Sequence, residues 1–231
     1  MMKFYYNLSP NPMKAALLLE ETGLAYEPVP VDTRKGEQFS AALRALNPNC
    51  KIPVLVDGEA VVFDSNAILL YLAEKTGAFV PKAGTAERAE LYSWLMFVAT
   101  GISPFSGQAV HFRHYAPAGQ DYPSRRYQFE AHRHYGILDD RLKGRRYLLG
   151  DDYTIADMAA WGWATRVPLI MGDDAWSHFP ELRRHCDEIS TRPAAQRALA
   201  LKERHTFHPE FDDTARRHMF RFLEWDQPAA G

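Results

Sequence analysis

The spacing of hydrophobic positions changes about a third of the way along the chain. Up to residue 81, short apolar runs alternate with stretches in which apolar residues recur every three or four positions. This alternation predicts strands interleaved with helices. Asp57-Gly58 separates two of the apolar runs, which is typical of a hairpin turn. The predicted order of elements in residues 1–81 is therefore βαβ-α-ββα, an α/β domain.

The boundaries of these elements are marked by caps and turn residues. Asn11 is expected to cap the first long helix, with Pro12 at its first position and Gly23 at its end. Asparagine, proline and glycine are each preferred at these positions of a helix. The predicted strands are 3–7, 26–31, 53–56 and 60–63, and the other predicted helices are 38–46 and 65–75.

Beyond residue 85 the pattern is helical throughout. The predicted helices are 86–99, 124–143, 154–170, 179–191 and 194–203. Between them, 101–119 contains Pro104, Gly107 and several aromatic residues, so we expect an irregular segment that forms one wall of a pocket. Glycine and proline in 77–85 place the domain linker there. The chain is predicted to form an α/β domain over 1–81 and an all-helical domain over 86–205.

Composition narrows the possible functions. The 231 residues are 46% hydrophobic and carry a formal net charge of -2, which favours a globular protein without the basic field that nucleic acids and anionic membranes require. No apolar run approaches the ~20 residues of a spanning helix, and residues 1–11 lack the order of a signal peptide. We expect a cytoplasmic protein with no nucleic-acid or membrane partner.

The chain has two cysteines, Cys50 and Cys186, and no CxxC spacing. This pattern is typical of thiols kept reduced in the cytosol, and a structural disulfide is the weaker alternative.

Two short segments hold candidate chemistry. Asn49 to Pro53 lies at a predicted strand start, where Pro53 is either an ordinary trans proline or a cis proline that turns the Ile52 N–H and C=O outwards. Asp64-Ser65 directly precedes a predicted helix. Ser65 either caps that helix or, with Asp64, holds a charged ligand group at the helix start, where N–H groups favour an anion.

In combination these segments resemble the glutathione transferase superfamily over about residues 3–205. Tyr153 to Asp157 adds to the resemblance, although Thr154 and Asp157 are also explained as a capping box. Within the superfamily the sequence is most similar to the bacterial Nu class, which resembles Ure2-type proteins. The segments that carry this similarity are Ser9-Pro10-Asn11, Lys35 to Phe39, Asn49 to Pro53 and Gly107 to His114. The resemblance implies a thioredoxin-like first domain, an all-helical second domain and a homodimer.

The resemblance also implies a glutathione site. Pro53 would be cis, and the Ile52 backbone would pair with the cysteinyl segment of glutathione. Asp64 and Ser65 would hold the γ-glutamyl group. The class commonly has Glu where this chain has Asp64, which makes that contact one methylene shorter.

The glycyl end of glutathione would be held by Lys51 and Gln38. The class usually has Asn where this chain has Cys50, so any amide contact at that position is lost. Arg126 matches a class arginine that reaches the ligand of the neighbouring subunit, and the alternative is a solvated helix charge.

Ser9 and Asn11 are the candidate catalytic residues. A thiol has a pKa of ~8.5 and only its thiolate is nucleophilic, so hydroxyl and amide donors at a helix N-terminus are expected to lower the pKa of a bound thiol. Either residue alone would be enough to lower the pKa of the bound thiol. Asn11 has a competing role as helix cap. In thioredoxins this turn carries a CxxC pair, but here its ends are Ser9 and Pro12. Net disulfide reduction would therefore require two glutathione sulfurs.

Three functions follow from the resemblance. The first is a glutathione-dependent disulfide-bond reductase, the second a transferase that conjugates glutathione to small electrophiles, and the third a non-catalytic glutathione-binding regulator. The ligand would be glutathione, with up to two molecules per site, and no metal is expected. The co-substrate is a small disulfide or electrophile that the sequence does not identify.

Several other residues have more than one interpretation. Cys50 is close enough to Ile52 to form a mixed disulfide with glutathione, but a buried, inert cysteine is favoured. His111 with His114, and His205 with His208, have metal-ligand spacing but no completing ligand. A hydrophobic pocket or the core would account for the aromatic residues Trp94, Phe97, Phe105, Phe112, Tyr115 and Trp163.

The C-terminal extension, 206–231, lies beyond the resemblance. Phe207, Phe211, Ala215, Met219 and Phe222 recur at three- or four-residue spacing, which predicts an amphipathic helix. We expect this helix to dock on its own first domain or on the partner subunit.

Overall fold

The computed structural model describes residues 1–224. Its first domain contains a four-stranded sheet in the order β2-β1-β3-β4. The strands are β1 (Met2–Tyr6), β2 (Tyr26–Pro30), β3 (Val54–Asp57) and β4 (Ala60–Phe63). β1 is parallel to β2 and antiparallel to β3, and β3 and β4 form the hairpin around Asp57-Gly58. The predicted order of strands and helices is confirmed.

The helices of this domain are α1 (Pro10–Thr22), α2 (Ala41–Leu46) and α3 (Ser65–Thr76). Asn11 was predicted to cap α1, and this is wrong, because Ser9 is the N-cap and Asn11 lies inside the first turn. Pro12 is tolerated there since first-turn N–H groups have no partner within the helix. The predicted helix 38–46 is split, because Ser40 caps α2 with its side chain and leaves a separate 3₁₀ turn at Glu37–Phe39.

The second part of the described chain is helical. Its helices are α4 (Ala86–Phe97), α5 (Ser103–His114), α6 (Asp121–Leu142), α7 (Ile155–Ala164), α8 (Val167–Met171), α9 (Pro180–Ser190), α10 (Pro193–Leu199), α11 (Leu201–Arg204) and α12 (Asp213–Met219). None of the helices in residues 1–224 is long and apolar enough to cross a membrane.

The predicted irregular segment 101–119 is largely helical. A π turn at Val98–Ile102 connects α4 to α5, and this wider turn accommodates Pro104 at the start of α5. Gly101 is required at the turn, because a Cβ there would lie 2.5 Å from the His134 ring. The predicted helix 154–170 divides into α7 and α8, with Pro168 in the first turn of α8.

α1 is the central helix of the core, and α7 packs against its first turn. A Cβ at Gly162 would lie 2.5 Å from Lys14 Cγ and 2.7 Å from the Pro10 carbonyl oxygen. Glycine therefore allows the two helices to approach closely at this point. Lys14 is completely buried and donates to Ser103 Oγ over 3.0 Å, and burial lowers its pKa to about 7, with Asp64 acting in the opposite direction.

The predicted C-terminal helix is shorter than expected. Residues 205–212 have no regular structure, Asp212 caps α12, and Phe220 separates α12 from a 3₁₀ turn at Arg221–Glu224. Asp212 Oδ1 accepts a hydrogen bond from the Ala215 N–H, which is why the helix begins there. α12 contacts the chain's own first domain through His218, and residues 225–231 of the C-terminal extension lie outside the described residues.

Candidate active site

A cavity of about 810 Å³ lies between the sheet domain and the helical domain. Its volume is within the range of ~300–1,000 Å³ of small-molecule pockets. Five of the predicted site residues line it, namely Ser9, Asn11, Gln38, Lys51 and Ile52. Pro53, Asp64, Ser65 and Arg126 are not among its lining residues.

Ser9 holds its hydroxyl hydrogen towards Asn7. Ser9 Oγ donates to Asn7 Oδ1 over 2.6 Å, and the Ser9 N–H donates to the same oxygen over 2.9 Å. Asn7 Nδ2 in turn donates to Thr33 Oγ1 over 3.2 Å. In this arrangement a sulfur placed beside Ser9 finds oxygen lone pairs rather than a hydrogen donor. Asn7 was not recognised from the sequence.

Asn11 has the opposite arrangement, because a tryptophan fixes its carboxamide. Trp163 Nε1 donates to Asn11 Oδ1 over 2.9 Å, and both residues line the cavity. Since the indole N–H only donates, it selects the Asn11 oxygen and leaves the Nδ2 hydrogens for another acceptor. Trp163 lies next to Gly162, so the close approach of α7 to α1 brings the indole to Asn11.

The loop before β3 is organised by a buried asparagine. Asn47 Nδ2 donates to the Lys51 carbonyl over 2.7 Å, and Asn47 Oδ1 accepts from the Asn49 N–H over 3.0 Å. Cys50 lies in the left-handed backbone region with φ 52°. The Ile52–Pro53 bond is cis, as the resemblance implies. Pro53 is buried under the loop, and Ile52 reaches the cavity.

Asp64 rather than Ser65 caps α3. Asp64 Oδ1 accepts from the N–H groups of Asn66 (2.8 Å) and Ala67 (3.2 Å), with φ 75° at Asp64 itself. The Asp64 carboxylate is exposed, whereas Ser65 is buried in the first helical position. Their roles towards a γ-glutamyl group remain predictions.

Gln38 is buried and contacts the C-terminal extension. Its Nε2 donates to the carbonyls of Thr33 (3.2 Å) and His218 (3.3 Å), and its Oε1 has no hydrogen-bond partner among the described residues. A buried amide oxygen without a partner is costly. Gln38 as a residue lines the cavity, but this oxygen is itself buried from it.

Arg126 lies away from these residues. Its guanidinium is half exposed on α6 and pairs with Glu130 over 3.3 Å. A small surface depression surrounds it, lined by Asp121, Tyr122, Arg125 and Phe129. Its predicted role towards a neighbouring subunit's ligand remains a prediction.

Positively charged residues line the cavity, and of these only Lys51 was predicted from the sequence. Arg34, Arg166 and Lys202 line it, and Asp32 is its acidic residue among those described. Arg166 donates to the Leu8 carbonyl over 2.9 Å, and burial lowers its pKa. Their positions are too far apart in sequence to form a motif. An excess of cations favours a ligand with carboxylates, such as glutathione.

The two cysteines are free thiols in different environments. Cys50 is buried but lines the cavity. Cys186 lies in the helical core, where burial raises the pKa of its thiol to about 12. Only Cys50 is placed to meet a substrate.

Of the aromatic residues considered for a pocket, Tyr115 and Trp163 line the cavity, together with Gly107, Val110 and His111 of the predicted pocket wall. The wall is thus confirmed, although as a helix. His208 lies with Glu210 and Asp212, their ligand atoms within 4.8 Å of one another, so carboxylates accompany His208, whereas His205 contacts the Tyr6 hydroxyl. Both carboxylates are exposed, and a cluster of this kind is common on protein surfaces without an ion.

Comparison with known proteins agrees with this architecture. Residues 1–74 match the family model for the N-terminal domain of glutathione S-transferase, and residues 126–188 match the model for its C-terminal domain. The disulfide-bond oxidoreductase YfcG of Escherichia coli (strain K12) is 40% identical over 211 residues, which cover 86% of this chain and 94% of that protein.

Two solved structures are similar over most of the chain. A glutathione transferase family member from Pseudomonas fluorescens pf-5, with two glutathione molecules bound, is 36% identical with a TM-score of 0.80 and covers 86% of this chain and 92% of its own. Glutathione transferase URE2P8 from Phanerochaete chrysosporium, with oxidized glutathione, is 29% identical with a TM-score of 0.82. The match covers 88% of this chain and 95% of that chain.

A thioredoxin-like sheet domain, a helical domain and a cavity between them are the architecture of the glutathione transferase class. The chain belongs to the glutathione S-transferase family. Among its relatives in that family are proteins named disulfide-bond oxidoreductases.

Proposed function

We propose that this protein is a cytoplasmic glutathione-dependent disulfide-bond reductase. The observation that carries the proposal is the orientation of Asn11, whose Oδ1 is occupied by Trp163 Nε1 at 2.9 Å. The Nδ2 hydrogens are left to donate to a thiolate at the N-terminus of α1, where the helix dipole also favours negative charge. Relatives named for disulfide chemistry and a neighbour holding two glutathione molecules support the same activity.

The chemistry balances with two glutathione molecules. The first glutathione thiolate attacks one sulfur of the substrate disulfide, forming a mixed disulfide and releasing one substrate thiol. A second glutathione thiolate then attacks the glutathione sulfur of that mixed disulfide, releasing the other substrate thiol and leaving oxidised glutathione. Asn11 stabilises the attacking thiolate, the Ile52 backbone orients the peptide, and the cations Lys51 and Arg166 favour its carboxylates.

The predicted ligand contacts on the first domain belong to this proposal. Lys51 and Gln38 hold the glycyl end, and Asp64 with Ser65 holds the γ-glutamyl group. Asp64 is suited to that role because its exposed carboxylate lies at the N-terminus of α3 and carries the charge that an ammonium group requires.

We also propose that the protein is a homodimer. Exposed large apolar side chains lie on the edge strand β4 and on α4 and α6, namely Val61, Phe63, Tyr92, Met96, Tyr122 and Phe129. A second copy would remove such surface from water. Arg126 on α6 would then lie near the interface, where it could reach the partner's ligand.

Activity is expected to depend on the turn that contains Ser9 and Asn11, with Asn11 as the donor to the thiolate, and not on Cys50. In the presence of glutathione, a small disulfide such as hydroxyethyl disulfide should be turned over faster than 1-chloro-2,4-dinitrobenzene is conjugated. Cys50→Ala should keep most of the reductase activity. Ser9→Ala combined with Asn11→Ala should shift activity to higher pH, because the bound thiol returns towards its free pKa of about 8.5.

Cys50→Asn separates loss of the thiol from backbone strain, because asparagine tolerates the left-handed backbone at this position, and it should be at least as active as Cys50→Ala. An inactive Cys50→Ala beside a normal double variant would mean that Cys50 is the nucleophile. Faster conjugation than reduction would instead favour the transferase, and binding without turnover of either substrate would favour a regulator.

Trp163→Phe is expected to act through Asn11. The ring remains in the cavity wall, but the carboxamide loses the N–H that orients it, a neutral hydrogen bond of about 0.5–1.5 kcal/mol. Reductase activity should fall roughly threefold to tenfold at low pH and recover at high pH, where the thiol ionises without help. The measurement is the pH dependence of kcat/KM.

Trp161→Phe is the control for this variant. It removes an indole N–H from the same helix, but that N–H donates to Ser190 Oγ over 2.9 Å, and Trp161 is not among the residues lining the cavity. Its pH profile should match that of the unmodified protein. Identical profiles for both tryptophan variants would show that Trp163 does not position Asn11.

A further inference from the structure

Residues 205–222, here called the strap, leave α11 and extend along the first domain. Asp32 Oδ2 accepts from the His208 N–H over 2.6 Å. Arg34 Nη1 donates to the carbonyls of His208 (2.9 Å) and Pro209 (2.6 Å). Hydrogen bonds to charged groups are stronger than neutral ones, so these contacts anchor the first half of the strap to the loop after β2.

The second half of the strap is anchored to the same loop through His218. Its Nδ1 lies 2.8 Å from the Arg34 carbonyl, an acceptor that requires the hydrogen to be on Nδ1. Its own carbonyl accepts from Gln38 Nε2 over 3.3 Å. The imidazole packs on Gly36, where a Cβ would lie 3.0 Å from the ring. Glycine at position 36, with φ +79°, thus makes space for this contact.

A third set of contacts connects the strap to the helical domain. Arg216 Nη1 donates to the Tyr115 carbonyl over 2.9 Å. The rings of Phe211 and Tyr115 have centroids 4.5 Å apart, and those of Phe220 and His111 are 4.7 Å apart. The strap therefore connects the loop after β2 to the end of α5, and residues of both elements line the cavity.

The strap also forms part of the cavity wall. Phe207, His208, Pro209, Met219 and Phe220 line the same space as Asn11 and Trp163. Three of these side chains are large and apolar, and a co-substrate that enters this cavity must share its space with them. A disulfide on a folded protein would bring extended backbone and neighbouring side chains with it, whereas a small disulfide requires only the cavity.

We propose that the strap determines the co-substrate class, admitting low-molecular-weight disulfides and excluding disulfides of folded proteins. This inference rests on the proposed function, because it concerns access to the same thiolate. Phe220 is the specificity-determining side chain of the wall, and Arg216 and His218 hold the wall in place.

The test compares full-length variants. Arg216→Ala combined with His218→Ala releases the strap, and Phe220→Ala opens the wall with its anchors intact. Arg217→Ala is the matched control, since Arg217 is exposed on α12 and its guanidinium donates to Thr214 Oγ1 within the same helix. The substrates are hydroxyethyl disulfide and a glutathionylated folded protein, each assayed for kcat/KM with glutathione.

Releasing or opening the strap should raise the ratio of protein-disulfide to small-disulfide kcat/KM by about tenfold. This is the size of change that the loss of one hydrogen bond to a charged group produces. Arg217→Ala should leave the ratio unchanged. An unchanged ratio in both Arg216→Ala/His218→Ala and Phe220→Ala overturns the proposal. So does a wild-type protein that reduces the protein disulfide as readily as the small one.

A binding measurement separates this inference from the proposed function. Calorimetric affinities are compared for S-methylglutathione and for glutathione with a fluorescein group on sulfur, neither of which requires turnover. The unmodified protein should prefer the methyl derivative, and the strap variants should lose that preference. If no disulfide is reduced but this difference is found, the reductase activity fails and the strap still selects by size. If the unmodified protein and the variants prefer the methyl derivative to the same extent, the proposed role of the strap is wrong.

Discussion

Asp64→Ala is expected to weaken glutathione binding roughly tenfold to hundredfold while changing turnover at saturating glutathione much less. The loss of one charge-assisted partner for the γ-glutamyl ammonium group costs on the order of 1.5–3 kcal/mol. The dissociation constant measured by calorimetry is the direct test.

Asp64 has a second role, which the experiment must separate from the first. Its Oδ1 caps α3 through the Asn66 and Ala67 N–H groups, and removal of a cap costs about 0.5–2 kcal/mol of stability. Asp64→Asn keeps the capping oxygen and tolerates φ 75° but removes the charge. It should therefore bind glutathione as weakly as Asp64→Ala while melting at nearly the wild-type temperature. Normal binding by Asp64→Asn would mean that Asp64 is only a cap.

Asp157→Ala is expected to destabilise the protein by about 3–5 kcal/mol, because it leaves buried donors without their charged partner. Asp157 is completely buried. Its carboxylate accepts from the Leu148 N–H (2.8 Å), the Thr154 N–H (2.9 Å), Thr154 Oγ1 (3.0 Å) and His185 Nε2 (2.9 Å). Urea unfolding of the purified variant measures the loss.

An exposed aspartate provides the comparison for Asp157. Asp140 pairs with Lys143 on the surface, its side chain 72% exposed, so Asp140→Ala should change the unfolding free energy by no more than about 0.5 kcal/mol. Asp157→Asn should be intermediate, since it keeps one acceptor oxygen. If Asp157→Ala were as stable as Asp140→Ala, the buried carboxylate would contribute nothing net to the fold.

The capping box at Thr154 and Asp157 was predictable because all of its parts lie within four residues, and the structure confirms it. The sequence did not indicate that the same carboxylate also holds Leu148 and His185. The hairpin around Asp57-Gly58 was predictable for the same local reason. Helix boundaries were less predictable. The start of α1 depends on which of two nearby polar residues becomes the cap, and the predicted helix 154–170 divides at Arg166, whose side chain donates to the distant Leu8 carbonyl.

The sequence predicted which types of residue form the candidate site, but only part of how their side chains are arranged. From the sequence, Ser9 and Asn11 were equally good candidates for stabilising the thiolate, since both lie beside the helix start. The structure distinguishes them through Asn7, which takes the Ser9 hydroxyl hydrogen, and Trp163, which takes the Asn11 oxygen. Trp163 is 152 positions from Asn11, and no local pattern connects them.

The sequence by itself determined the α/β and helical organisation, the turn types and the absence of a CxxC pair, because these depend on residues that are close together along the chain. Only the tertiary structure decided how the hydrogens of Ser9 and Asn11 are oriented and that the strap forms part of the cavity wall. Hydrogen-bond direction depends on which donor or acceptor is brought near, and such contacts between distant segments form only when α7 packs on α1 and the strap returns to the first domain.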